Sequence, residues 1–384
     1  MKRFFALLLV VCLAMGLPTF VSAESQEPVT VEQIAENWIA TQYNGEAKVS
    51  RITSLLSYQN ERVGEMVAFE RDGVPCGYIV LSVADGEYPI VEFSMEGDNA
   101  YDYLVNSFEA AKNSSLSASL GEASSMLTAE DQVEEDVMYT DFIRYSIRVN
   151  RGNESLLFDQ YGKMESFAPA HEISSSSDLE WGDFSEGYAE FLRDGDGWED
   201  ALLPGARSNM GLVMREMPGV LPNEGNCGPT AVTMTIKMYA EKPLNGHAAL
   251  TDFKHHDTDA GTYTRVKIKM GYVAREGSAP EQCTNGLKAY AAEKGRTCTV
   301  DTYLWSFWSD FTRDIDNKKP IQLCTAKVEN GEERGHMQVV VGYRNYTNGA
   351  KYLRVFSGWR NYSTFVKYKA NVFTYFKGYC IAIS

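Results

Sequence analysis

Apolar and polar positions divide the chain into two runs of elements, each opening on helical spacing and closing on alternation. From Pro28, PVTVEQIAENWIATQYNG sets Ile34, Trp38 and Ile39 on one face behind Thr30, a capping residue, and stops at Asn44-Gly45. Three alternating runs follow, GEMVAFERDG, CGYIVLSVADG and YPIVEFSMEG, which predict strands joined by turns. DNAYDYLVNSFEAAKN, residues 98–113, predicts a second helix, and the Ser- and Glu-rich residues 114–136 read as loop. VMYTDFIRYSIRVNRGNESLLFDQYGKMESF alternates as a hairpin turning at Arg151-Gly152-Asn153. SSSSD at 174–178 reads as linker, and 179–207 is acidic and turn-rich.

The second run opens near 205–210. From Pro229, Val232, Ile236 and Tyr239 share a helical face, and proline is tolerated in a first turn. EQCTNGLKAYAAEKG (281–295) and Leu304 to Asn317 predict two more helices. The strand-like runs KPIQLCTAKV, GHMQVVVGYRN, KYLRVFSGW, STFVKYKA and GYCIAIS then carry the chain to its end. Helices first and strands last predict an α+β unit with an antiparallel sheet. The expected organisation is an α+β domain at 24–173, an acidic linker at 174–207 and a second α+β domain at 208–384.

Length supports that division, because 384 residues are too many for one ordinary core. The first residues stand apart. Lys2 and Arg3 precede a short apolar core, FFALLLVVCLAMGL, and VSA at 21–23 offers a cleavage point near Ala23. The chain is expected to be exported, secreted or on the cell surface. The apolar run is short for a membrane span, and bulky Val11 argues against a lipid on Cys12, so no stable membrane anchor is expected. The remaining cysteines are Cys76, Cys227, Cys283, Cys298, Cys324 and Cys380. Their scattered spacing predicts no metal site, and no cofactor is implied. A Cys283–Cys298 disulfide is one option for an exported chain.

Charge is uneven. Through Arg207 there are 13 Lys+Arg and 36 Asp+Glu, a net −23; from Ser208 there are 23 and 16, a net +7. Parts of opposite sign attract, so the first domain is expected to lie on the second. No tight Lys/Arg run marks a nucleic-acid surface.

The candidate chemistry centres on NEGNCGPTAVTMTIKMY, residues 223–239. Cys227 falls where a polar loop meets a helix start, whose unpaired N–H groups favour thiolate over thiol. Gly228 lets a backbone approach, and the Cys227 N–H can face a developing oxyanion. Such a nucleophile needs a base. Of His247, His255, His256 and His336, the best placed is His336, which opens the apolar strand run MQVVVGY. His255 and His256 lie in the polar run DFKHHDTDAG.

NCGPTAVTMTIKMY resembles the nucleophile helix of papain-like cysteine peptidases, in the bacterial branch related to bacteriocin-processing peptidases. KPIQLCTAKV, GHMQVVVGY and YLRVFSGW are similar to that family's later strands, and the resemblance spans roughly 208–384. It implies a two-lobed domain with a Cys227–His336 pair. It places the orienting third residue at Ser357, with Asn361 as the alternative, where the family carries Asn or Asp. The family's oxyanion glutamine has no counterpart here; Asn223 or Asn226 is the amide that stands in for it. CGYIVLSVADGEYPIVEFSMEGD resembles the pro-segment of streptopain-type secreted peptidases, which implies a first domain that covers the site until processing. The expected function is a secreted cysteine peptidase made as a precursor, its partners a protein or peptide substrate and its own pro-domain. A papain-fold protein that binds peptides or cell-wall components without catalysis is the alternative, and a wall-peptide amidohydrolase would use the same pair.

Overall fold

A computed structural model describes residues 30–82, 90–113, 132–141, 144–151, 153–160, 162, 164–167, 198–206, 210–220, 225–274, 276–329, 332–368 and 375–384. The leader, Cys12, the SSSSD stretch and Asn223 lie outside the described residues. Within them the protein is a mixed α+β structure with six α-helices and a sheet of fifteen strands.

The first part begins with α1 (Val31–Gln42), closed at its start by a reciprocal cap. Thr30 Oγ1 accepts from the Gln33 N–H at 3.2 Å, and Gln33 Oε1 accepts from the Thr30 N–H at 2.9 Å. Strands β1 (Lys48–Leu56), β2 (Arg62–Arg71), β3 (Val74–Ser82) and β4 (Ile90–Ser94) form an antiparallel meander. β1 escapes the hydrophobic pattern because its first five residues are mostly exposed. After α2 (Ala100–Asn113) come β5 (Gln132–Asp141), β6 (Arg144–Arg151), β7 (Glu154–Asp159) and β8 (Met164–Phe167). β6 and β7 form the expected hairpin, closing at Arg151 opposite Glu154. β5, parallel to β1, starts inside the stretch read as loop; an irregularity between Val133 and Val137 breaks its alternation.

The second part contains β9 (Trp198–Leu202), α3 (Cys227–Glu241), α4 (Asp259–Met270), α5 (Pro280–Glu293), β10 (Cys298–Thr302) and α6 (Trp308–Asp316). Strands β11 (Ile321–Glu329), β12 (Glu332–Tyr346), β13 (Lys351–Phe356), β14 (Thr364–Lys367) and β15 (Tyr375–Ile383) complete it, and all their pairings are antiparallel. α3 is buried on nearly every side, as a central helix is. It is tied to the sheet by Tyr239 Oη donating to the Ile381 carbonyl at 2.8 Å and Gln322 Nε2 donating to Thr235 Oγ1 at 3.3 Å.

The expected limits of linker and second domain require correction. β9 pairs with β12, from Leu202 opposite Gly342 to Trp198 opposite Tyr346. Leu203 and Ala206 are buried in the same core as α3 and β12. Residues 198–206, assigned to the linker, therefore build the second part. Their acidity misled because Asp200 forms a two-pronged ion pair with Arg344, at 2.6 and 2.7 Å, rather than a solvated run. Cys283 and Cys298 are free thiols.

The two parts share one sheet through β4 and β14, with Phe93 opposite Phe365 and Glu92 opposite Val366. They also share a core: Phe93 packs on Trp38 at 4.9 Å, on Phe365 at 4.5 Å and on Tyr352 at 5.1 Å between ring centroids. Burying such a ring stabilises by about 2–3 kcal/mol.

Candidate active site

Cys227 is the first residue of α3 and is half-buried. Gly228 behind it lies against α5, where a Cβ would meet Cys283 Sγ and Ser278 Cβ at 2.8 Å, so only glycine lets the helix start sit this deep. Three main-chain N–H groups point at the sulfur, those of Met337, Gly228 and Cys227 itself. They favour thiolate, but burial outweighs them and pushes the thiol above its ordinary range.

The Met337 N–H is available for a topological reason. β13 pairs with β12 only from Phe356 opposite Val339, so β12 has no β13 neighbour at Met337. Gly358, at φ +84°, takes the chain off the sheet there. Cys227 and the Ser357 carbonyl occupy the edge that β13 vacates.

His336 lies on this edge, one residue before Met337. Its Nε2 is 2.8 Å from the Ser357 main-chain oxygen. A carbonyl only accepts, so Nε2 carries the proton and Nδ1 holds the lone pair. The ring stacks on Trp359 at 5.1 Å and 9°. Nδ1 is buried with no hydrogen-bond partner among the described residues. Burial first, then the Arg144 guanidinium, holds the imidazole down at about 3. No hydrogen bond joins Nδ1 to the Cys227 sulfur; the link between the two residues is the N–H of Met337, the residue after His336.

The orienting contact differs from the one the resemblance implies. Ser357 supplies it through its carbonyl, while its hydroxyl accepts from the Trp359 N–H at 3.3 Å. Asn361 is exposed, and its carbonyl accepts from the Gly211 N–H at 3.2 Å. Asn226 is the buried N-cap residue of α3, yet its side chain makes no capping bond: Oδ1 accepts from Tyr263 Oη at 2.6 Å. His247 and His256 are exposed and His255 half-buried in loop and short helical turn, apart from this edge.

Two residues at the site carry no signal in sequence. Arg144 opens β6 in the first part, and its buried guanidinium acts on Cys227 and His336 together. It reads as one more polar position in an alternating strand. Tyr263 lies on α4, a helix the pattern did not predict because its buried stripe is only Thr262, Tyr263, Val266 and Met270.

In the other direction Arg360, next to Trp359, enters the first part. It donates to Tyr78 Oη at 2.7 Å and lies over the rings of Tyr78 and Tyr103 at 5.0 and 5.9 Å. Tyr78 donates in turn to buried Glu92, which also accepts from Tyr145 Oη at 2.7 Å. This hydrogen-bonded chain runs from Arg360 through Tyr78 and Glu92 to Tyr145, the residue after Arg144.

Residues 215–379 match the model of the Peptidase_C39 like family. The match supports a cysteine peptidase hydrolase in this part of the chain, and it contains Cys227, His336 and Ser357. Among solved structures, active wild-type interpain A cysteine protease of Prevotella intermedia is similar at 12% identity and TM-score 0.31, covering 47% of this chain and 94% of that one. A mutant prointerpain A fragment from the same organism is similar at 11% identity and TM-score 0.36, covering 86% of this chain and 97% of that one. No curated protein matches the chain.

Proposed function

We propose that the chain is a secreted cysteine peptidase made as a precursor, with Cys227 as nucleophile and His336 as base. The observation that carries the reading is the vacated edge of β12. It holds a thiol under three N–H donors beside an imidazole whose Nε2 is fixed and whose Nδ1 is open. When the two are brought into contact, the thiol proton moves to Nδ1 and the thiolate attacks the scissile carbonyl carbon. The oxyanion falls to the Cys227 N–H and the Asn226 amide. His336 then protonates the leaving amine, and water, deprotonated by the same imidazole, releases the acyl group.

The first part serves as the inhibitory domain. The Arg144 charge, which reaches both groups, supports that role, as do the shared sheet and the Arg360 contact across the seam. A site in which cysteine and histidine are not hydrogen-bonded also fits a protein that binds peptides or wall components without cutting them. Hydrolysis separates the two readings. The chain, after limited proteolysis to remove the first part, is expected to cleave a fluorogenic casein, and Cys227→Ala and His336→Ala to lower the rate by about 10⁴-fold or more. Equal rates in the treated wild type and Cys227→Ala would sink the peptidase reading.

A further inference from the structure

We propose that Tyr263 is a positioning residue for the nucleophile: by holding the Asn226 amide oxygen, it keeps the first-turn N–H groups of α3 for the Cys227 sulfur. The assignment rests on the peptidase reading above.

An asparagine before a helix normally turns its Oδ1 onto an N–H of the second or third helical residue. In α3 the third residue is Pro229, which has no N–H, so Gly228 alone offers a donor for a cap. That donor is wanted elsewhere, because the Gly228 N–H is one of the three that point at the sulfur. Cap and thiolate therefore compete for one proton. The competition is settled from outside the helix. Tyr263, fully buried on α4, donates to Asn226 Oδ1 at 2.6 Å, and Asn226 makes no capping bond. The helix gives up a cap to keep its end open.

Removing the tyrosine hydroxyl leaves a buried amide oxygen without that donor, and a rotation of the Asn226 side chain onto Gly228 is its nearest remedy. The sulfur then loses one of its donors. The other charged or titratable groups about the thiol are Arg144 from β6, His336 from β12 and Cys283 from α5, with Cys324 of β11 beyond. Tyr263→Phe changes none of them.

The test is the rate of iodoacetamide alkylation of Cys227 in the full-length chain, located by peptide mass, across mildly acidic to mildly alkaline pH. In Tyr263→Phe the rate at the acidic end is expected to fall about tenfold, the effect of one hydrogen bond to a charged group, with the profile moved to higher pH. In Asn226→Gly/Tyr263→Phe, where no side-chain oxygen remains to cap the helix, the rate is expected to return to within about twofold of wild type. Two results overturn the assignment: a wild-type rate in Tyr263→Phe, or a double variant as slow as the single one, which would make the tyrosine a packing residue. Fluorogenic casein hydrolysis, run beside it after limited proteolysis, keeps the two ideas apart. Cys227-dependent hydrolysis with unaltered alkylation in Tyr263→Phe defeats this assignment alone. The expected alkylation pattern in a chain that never hydrolyses defeats the peptidase reading alone.

Discussion

Two arginines cross the seam between the halves in opposite directions, and their destinations differ. Arg360 leaves the second half for a socket suited to a cation, aromatic faces and a buried carboxylate reached through Tyr78. Arg144, at the start of β6 in the first half, acts by its charge on a pair of groups that answer a cation in opposite ways. It favours a thiolate at Cys227 but opposes the imidazolium at His336 that the proposed mechanism would pair with it. One arginine ties the halves together; the other acts oppositely on the two protonation events that the proposed mechanism would couple. The uneven charge of the sequence predicts attraction between the halves, and Arg354–Glu96 and the Arg360 socket have that polarity, while Arg344–Asp200 lies within the second half. Arg144 runs against it, a base from the acidic half.

The largest effect is expected from emptying the Arg360 socket. Arg360→Met takes from the buried Glu92–Tyr78 network the cation that acts on it through Tyr78, and the loss of one partner from such a network is expected to cost about 3–5 kcal/mol. The urea midpoint of the full-length chain reads this directly. Adding Glu92→Gln removes the stranded charge and is expected to recover more than half of the loss. An unchanged midpoint in Arg360→Met would mean that the socket contributes nothing to cohesion.

Arg144 calls for a different measurement, because its effect is on protons. His336 is held at about 3, against an ordinary value near 6.5 in the unfolded chain. A depressed histidine contributes stability that is complete above the unfolded value and is lost as pH falls through the window toward about 3. Arg144→Met removes the lesser of the two causes, burial being the greater, so His336 rises part of the way back. The melting temperature of Arg144→Met is expected to fall less steeply with acidification across that window. A slope as steep as wild type would place the guanidinium outside the reach of His336.

These effects also mark what the sequence could and could not disclose. Helix α3, the β6–β7 hairpin and the run of strands from β11 to β15 follow from period and capping alone. β9 does not, because its acids are satisfied by Arg344 across the sheet, and only tertiary pairing reveals that. Cys227 opens α3, as the loop-to-helix pattern predicts, while His336 lies inside β12, which begins at Glu332 rather than at the apolar run MQVVVGY. Arg144 and Tyr263 were invisible because their roles come from which element they meet, not from the element they sit on. Ser357 is a middle case: the resemblance implies a side-chain contact at this position, while the contact present is made by its main-chain oxygen.

That distinction gives the smallest expected effect. If the imidazole is oriented by a main-chain oxygen, the side chain at 357 is free to vary, and serine in place of an amide or acid is no defect. Ser357→Ala is expected to leave kcat/KM within about twofold of wild type. Only the 3.3 Å bond to the Trp359 N–H is lost, for about 0.5–1 kcal/mol of stability. A fall of about a hundredfold with the melting temperature unchanged would return the orienting role to the hydroxyl. A carbonyl brings no charge, however. It fixes the tautomer and the ring plane as well as an asparagine amide would, yet stabilises the imidazolium less than a carboxylate would. In the proposed mechanism the site would therefore depend more heavily on its three N–H donors to offset the burial that favours the thiol, and a single cation whose field reaches the ring would weigh more against it.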